Sequence, residues 1–420
     1  QRALRDHLDR ATKQHGGVVL LGGEAGIGKT TLVESLTVDA EDRGVLVLWG
    51  HCYDLTTTPP YGPWLGIARR YSAGGHDPPF PAFFHDSSAL AAIATREQLF
   101  AEVSGFFTAR SARQPVMLVI DDLQWADDGS LGLLRFLARE AGVHRLLIIA
   151  TYRSEEVVTG HPLAALLPVL LREAPAERIE IRQLEPQSHR QLLAARYRLD
   201  DDDLTRLSAY LEEHAEGNPL YVTELLRTLE DEGILATHQG GWTLNELSRA
   251  VVPPLLREVI DARIARLGAE TRKLLPIAAV IGQQVEIELW LAVSGVQDDT
   301  LLDALDEAVA ARVLTALDDG SRLRFSHALI RQSVYESVLP PRRRLWHRKV
   351  AELLDGSTRP DPDTVAHHYQ QAGDPRAIPW LIKAADVARQ RYAWRTAAER
   401  LEAALHETES LPDPDLQQQS

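Results

Sequence analysis

Between the apolar run Val18 to Leu21 and a stretch with helical spacing lies Gly23-Glu24-Ala25-Gly26-Ile27-Gly28-Lys29-Thr30. Glycines at fixed offsets, then a lysine and a hydroxyl residue, match the phosphate-binding P-loop pattern, which requires a strand before it and a helix after it. Both flanks are present. The segment therefore restricts this part of the chain to an α/β sheet with the loop at the carboxyl end of a strand. Glycine permits the backbone turns that aim successive N–H groups inward, and the following helix adds partial positive charge at its N-terminus. The residues expected around the phosphates are Gly23, Glu24, Ala25, Gly26, Ile27, Gly28, Lys29, Thr30 and Thr31. Lys29 is expected to reach the β and γ phosphates, and Thr30 to offer a hydroxyl to Mg2+. The competing reading is a glycine-rich turn with no ligand.

Short apolar runs alternate with helical segments from Val18 to about Arg182: Val18 to Leu21, Val45 to Trp49, Val116 to Ile120, Leu146 to Ala150 and Ile179 to Ile181. Such runs, apolar nearly throughout, read as five parallel strands covered by helices on both faces. The run from Val116 ends in Asp121-Asp122. Ligands bind at strand ends in such sheets, so Asp121 is expected to hold Mg2+ through its water shell and Asp122 to orient or deprotonate the attacking water. The bland alternative makes Asp122 a cap of the next turn. Asp127 and Asp128 precede a helix and read as N-terminal caps. The run from Leu146 ends in Thr151-Tyr152-Arg153, which places a guanidinium where it can report a terminal phosphate. The alternative for Arg153 is a salt bridge to Glu155 or Glu156.

Beyond Leu184 the β-branched runs give way to helical spacing, as in Leu204, Leu207 and Leu211 or Leu225, Leu226 and Leu229. This reads as a helical lid, closed by a hairpin from Ile234 to Leu244 that turns at Gly240-Gly241, with helices resuming near Pro254. A helix from Leu301 to Ala311, strands Val313 to Leu317 and Leu323 to Phe325 around Asp319-Gly320, and a helix opening near Ser326 read as a winged helix. After Pro362, paired amphipathic helices at 367–372, 378–388 and 393–405 carry Trp380, Ala384, Tyr392, Ala397 and Ala398 at a spacing close to a repeat of about 34 residues. One repeat cannot bury its outer face, so the array is expected to continue past Ser420, with the polar end Asp413 to Ser420 a cut. The expected organisation is an α/β P-loop NTPase domain with a five-stranded parallel sheet at 1–184, a helical lid at 185–250, a winged-helix domain at 251–358 and the start of tetratricopeptide (TPR)-like helical repeats at 359–420.

Composition narrows the function classes. The formal net charge is −15, which opposes non-specific nucleic-acid binding, so DNA contact is expected only through a domain outside this chain. The basic cluster Arg342, Arg343, Arg344, Arg348 and Lys349 has Trp346 alone interleaved, and reads as a solvated helix face before a nucleic-acid patch. Cys52 is the one cysteine, no apolar run approaches the roughly 20 residues that cross a bilayer, and a reducing cytoplasm with no membrane contact is expected. The chain opens on Gln1, directly at the amphipathic set Ala3, Leu4, Leu8 and Ala11, so a natural N-terminus is expected upstream.

These residues, with Ile120-Asp121-Asp122-Leu123-Gln124-Trp125-Ala126-Asp127, Gly217-Asn218-Pro219-Leu220-Tyr221 and Phe325-Ser326-His327-Ala328-Leu329-Ile330, together resemble the STAND class, the signal transduction ATPases with numerous domains. The similarity covers nearly the whole chain. Its branch is that of the large ATP-binding LuxR-type transcriptional regulators and related bacterial cyclases and kinases. The resemblance implies a slow regulatory ATPase that holds ADP when closed, exchanges it for ATP when an inducer or signalling protein reaches the C-terminal repeats, and self-associates in the ATP state. It implies Pro219 against the adenine and His327 aimed at the ADP β-phosphate; the alternative for His327 is a helix-capping or core histidine. Members usually carry a Gly-Arg-Glu segment upstream of the first helix that helps hold the adenine, and this chain begins after it. Competing readings are an AAA+ motor, the ATPase sensor module of a bacterial adenylate cyclase or kinase, a phosphotransferase using Arg69 or Arg70 on an acceptor, and a dead scaffold. The intact Lys29, Thr30, Asp121 and Asp122 argue against the last.

Overall fold

Strand β1 (Gly17–Gly23) is buried along its whole length and lies inside a five-stranded parallel sheet of order β2-β3-β4-β1-β5. The structure, a computed structural model, describes residues 1–52, 59–75, 77–84, 93, 95–215, 217–238, 241–247, 256–317 and 320–409. Around β1, helix α1 (Arg2–Thr12) precedes the sheet and α2 (Lys29–Asp42) follows the P-loop. Then come β2 (Leu46–His51), α3 (Gly62–Ala73), α4 (Arg96–Arg113), β3 (Val116–Asp121), α5 (Asp128–Glu140), β4 (Leu146–Arg153), α6 (Pro162–Glu173) and β5 (Ala176–Glu180).

Strand period decides which face each side chain serves. Val18, Leu20, Leu118, Ile120, Ile148 and Ala150 pack on one face of the sheet with Trp64, Phe107 and Leu134, whereas Val19, Leu21, Met117, Val119, Leu147 and Ile149 pack on the other with Leu4, Leu8, Val33 and Leu36. Helices thus cover both faces of the central strands. The outermost strand departs from that expectation: β5 ends at Glu180, before Ile181, and Glu177, Arg178 and Glu180 on it are exposed. It has only β1 as a neighbour, and charge on an edge strand discourages further pairing. In α1 the buried set is Leu4, His7, Leu8 and Ala11, so His7 replaces the expected Ala3, which is exposed.

A second core gathers Leu193, Tyr197, Leu207, Leu211, Leu225, Leu226 and Leu229 from α7 (Pro186–Arg196), α8 (Asp201–Ala215) and α9 (Pro219–Asp231). The antiparallel pair β6 (Leu235–His238) and β7 (Gly241–Leu244) caps it. Gly241 opens the second strand opposite His238; Gly240 and Pro254 lie outside the described residues. A third core centres on Trp290, Leu275, Val313 and Phe325. Its elements are α10 (Leu256–Ala265), α11 (Ala269–Ile281), β8 (Gln284–Glu286), α12 (Ile287–Ser294), α13 (Asp298–Ala310), β9 (Leu314–Ala316), β10 (Arg322–Phe325), α14 (Ala328–Ser337) and α15 (Pro340–Asp355). The three strands pair antiparallel in the order β8-β10-β9; the sequence pattern shows two of them, and β8 is too short for period two to register. Asp319 lies outside the described residues.

The last helices, α16 (Pro362–Ala372), α17 (Ala377–Gln390) and α18 (Trp394–Glu409), pack in succession onto α15, and 410–420 lie outside the described residues. A buried histidine cluster forms the joint. His347 Nδ1 on α15 is 2.8 Å from His368 Nδ1 on α16, and Tyr335 Oη on α14 is 3.0 Å from His347 Nε2. Burial, then neighbouring histidine and arginine charge, lowers His347 to about 3. Burial and the charges of Arg331 and Arg400 lower His367 to about 4. Beside it the buried pair Arg400–Asp363 (2.8 Å) ties α18 to α16. On α15, Arg348 pairs with Asp374 at 3.1 Å, Arg342 stacks over Trp346 and Arg343 over Tyr335, as a solvated helix face would.

The turn between α17 and α18 reaches back to the first unit. Tyr392 adopts a left-handed backbone (φ 59°), donates to the Ile93 carbonyl at 2.5 Å and packs against the core of the parallel sheet. Arg391 donates to Pro60 O at 3.4 Å.

Candidate nucleotide site

The P-loop folds because its glycines take backbone conformations that other residues avoid. Gly26 and Gly28 have φ of 77° and 94°, and a Cβ at Gly26 would run into Leu220 and Asn218. Gly28 is the N-cap of α2 and has no side chain to cap it, so the first-turn N–H groups are left facing the loop. Lys29 is buried and its Nζ donates to Gly23 O at 2.7 Å and Glu24 O at 2.8 Å. Burial lowers its pKa, partly offset by the charges of Asp122 and Glu155.

Parallel pairing brings the strand ends together. Thr30 Oγ1 lies 3.3 and 3.4 Å from the two Asp121 oxygens. Thr151 Oγ1, at the end of β4, donates to Asp121 Oδ1 at 2.6 Å and accepts from Asp122 N at 2.9 Å. His51 on β2, in register with Asp121, places Nδ1 3.6 Å from Asp121 Oδ2. Burial of Asp121 opposes ionisation, but His51, Thr151 and the Arg324 charge outweigh it, and the carboxyl lies below its ordinary value. A hydroxyl beside an ionised carboxylate is a hard oxygen set, which fits Mg2+. Among the described residues no group of three or more His, Cys, Asp or Glu could hold a metal, so a cation here needs phosphate and water oxygens to complete its shell.

Asp122 stands at a turn with φ 57° and makes no side-chain capping bond, so the capping alternative is not realised. Gln124 Nε2 donates to its Oδ1 at 3.1 Å. Burial and the Asp121 charge push Asp122 up to about 6. Such a carboxylate can accept a proton near neutral pH. Arg153 is 13% exposed; it pairs with Glu156 at 2.6 Å, lies 3.7 Å from Asp122 and stacks over Trp125. Its backbone N–H donates to Gln124 Oε1 at 3.1 Å. Of its two expected acidic neighbours it therefore takes Glu156, while Glu155 accepts from Ala25 N at 2.8 Å. Asp127 caps α5 by accepting from Ser130 N, while Asp128 is the first residue of that helix. Arg70 donates to the Trp49 carbonyl.

The start of α9 reaches the loop, and β10 reaches the helix that follows it. Asn218 Nδ2 donates to Ala25 O at 3.1 Å and Leu220 N to Gly26 O at 3.3 Å, with Pro219 opening α9 between them. From β10, Arg324 approaches Glu34 on α2 at 3.4 Å. His327 is the N-cap residue of α14, yet its ring makes no capping bond and remains exposed, so it is neither a side-chain cap nor a core residue. Surrounding protein mass, then the charges of Arg263, Arg324 and Arg227, lower it to about 4. Arg263 itself is paired in the interior with Glu224 of α9. Thr151, Gln124, Asn218, His51 and Glu155 are contacts that motif matching did not assign. The first three lie within the quoted motifs; His51 and Glu155 carry no local signal.

Residues 1–149 match the family model described as AAA ATPase domain. An uncharacterized protein of Rhizobium meliloti (strain 1021) is 24% identical over 93% of this chain, and the chain spans 40% of that relative's length. The fold over 95% of the chain is similar to 57% of a solved chain, a STAND protein with a tetratricopeptide repeat sensor from Pyrococcus horikoshii, at 14% identity and a TM-score of 0.56. The Aeropyrum pernix ORC2 protein, solved in ADPNP–ADP complexes, aligns with a TM-score of 0.42 and 14% identity over 84% of this chain and 94% of its own. The architecture is that of a P-loop NTPase with a helical C-terminal region. No described helix is long and apolar enough to cross a membrane.

Proposed function

We propose that this chain is the nucleotide-operated core of a signal-transduction switch, a slow ATPase that rests closed on ADP and opens on ATP. The observation that carries the reading is convergence on the sheet-borne loop and its helix of two further elements: the start of α9, which bonds Ala25 and Gly26, and the strand β10, whose Arg324 meets Glu34 on α2. A simple hydrolase has no need of the last two. In this reading Gly23 to Thr31 hold the phosphates, Thr30 and Asp121 hold Mg2+ through oxygen, Asp122 orients the water and Arg153 senses the terminal phosphate. Bound Mg2+ would neutralise phosphate charge. α7 to α9 act as the lid, with Pro219 against the adenine. The unit from 251 to 358 acts as a winged helix, and His327 faces the β-phosphate of ADP. The repeats beginning at 359 receive an inducer or signalling protein, the ATP form self-associates, and a transcriptional output belongs to a domain outside this chain.

The test is calorimetric titration with ADP and ATP in Mg2+, followed by turnover. The switch reading expects ADP bound more tightly than ATP and, as for other regulatory P-loop proteins, turnover far below about one per second. Lys29→Ala is expected to lose both nucleotides. Sustained turnover above that rate by the isolated chain would support a motor, and a Lys29→Ala variant that binds normally would remove the site.

A further inference from the structure

The tip of the P-loop already meets a carboxylate supplied by the chain itself. Glu155, two residues beyond the end of β4, places Oε1 2.8 Å from Ala25 N, at the tip of the loop, while Asn218 holds the carbonyl of the same residue at 3.1 Å. Glu156, next in the chain, is turned the other way onto Arg153. Glu155 is also one of the two leading negative charges acting on the Lys29 ammonium, alongside Asp122. Lysine at this position of a P-loop serves the β and γ phosphates. A terminal phosphate reaching Lys29 would therefore meet the charges of both carboxylates.

We infer that Glu155 is a specificity-determining residue that biases the loop toward nucleoside diphosphate by opposing the terminal phosphate of a triphosphate. The inference rests on the nucleotide-switch reading above. Like charges a few ångströms apart repel measurably even near the surface, and because Glu155 is exposed the effect is screened by salt. It is therefore a several-fold effect, not an absolute gate. The hydrogen bond to Ala25 adds a second consequence, since the loop tip is steadied without any phosphate present.

The experiment compares the wild type, Glu155→Gln and Glu155→Asp by displacement of a fluorescent ADP with ADP and with the imido analogue of ATP, in Mg2+, at low and at 0.5 M salt (roughly a 4 Å screening length). For Glu155→Gln the analogue is expected to bind about three- to tenfold more tightly, with ADP changed less than about twofold. Glu155→Asp, which keeps the charge but is shorter, should retain most of the wild-type ratio, and high salt should shrink the difference between wild type and Gln variant. An unchanged ratio in a wild type and variant that both bind nucleotide overturns this inference alone. A wild type that binds neither nucleotide overturns the switch reading and takes this one with it.

Discussion

Acidification should loosen the joint between the third core and the C-terminal helices, and its size follows from the histidine cluster. His347 and His367 have folded values of about 3 and about 4, and buried His368 lies well below the ordinary value. A histidine whose folded pKa is depressed takes up fewer protons folded than unfolded. Its stabilisation is whole above about 6.5 and is lost as pH falls toward the folded value. At pH 5.5 the loss is about 1 kcal/mol each for His347 and His367, and His368 acts in the same direction. Two carboxyls act oppositely. Asp122 and Asp363, each raised to about 6, by burial and for Asp122 also by the Asp121 charge, gain protons on folding and return roughly 1 kcal/mol each at that pH. The raw profile therefore mixes signs, and the informative quantity is a difference. Urea unfolding of wild type and His367→Gln between pH 8 and 5.5, with hydrogen exchange on α15 and α16, should show the gap between them changing by about 1 kcal/mol in the variant's favour. A gap that stays flat with pH would refute the reasoning.

Three further outcomes are expected. Asp122→Asn should bind nucleotide within about threefold of wild type yet lose roughly 100-fold or more in single-turnover hydrolysis; full turnover would remove Asp122 from the chemistry. Replacing His327 by alanine should speed ADP release several-fold in stopped-flow chase, whereas an unchanged rate would leave the ring without a part in holding ADP. Arg400→Ala strands Asp363 in the interior and should cost about 3 to 5 kcal/mol, read as a lowered Tm of the C-terminal helices; a loss below 1 kcal/mol would show the pair to be dispensable.

Where sequence sufficed and where it did not has a physical basis. The β1 loop, Asp121-Asp122 and the Arg153 strand end are local patterns whose chemistry is carried by neighbours in the chain, so period and motif place them. The bounds of β5 misled because Ile179 and Ile181 flank Glu180 with the alternation of a half-buried strand, whereas the strand formed, Ala176–Glu180, is an edge that exposes Glu177, Arg178 and Glu180. β8, three residues long, is too short to show alternation. The partners of the site were hidden for another reason: His51 beside Asp121, Glu155 on Ala25 and Arg324 beside Glu34 arrive from strand ends and loops whose juxtaposition depends on strand order, which periodicity does not encode. Arg324 and Glu34 are 290 residues apart. Asn218 was visible inside Gly217-Asn218-Pro219, but nothing in the triplet says that its amide rests on Ala25.

The left-handed turn at Tyr392 bears on how the protein can be dissected. Its ring and the neighbouring Arg391 sit against a greasy hollow edged by Tyr61, Leu65, Phe83, Phe84 and Leu99. Any excised parallel-sheet unit that stops short of residue 392 bares those aromatics to water, and a contiguous bare patch of that kind makes fragments cling to one another. Clumping by such a piece would report the cut, and self-assembly belongs to be measured only on polypeptides that keep this plug.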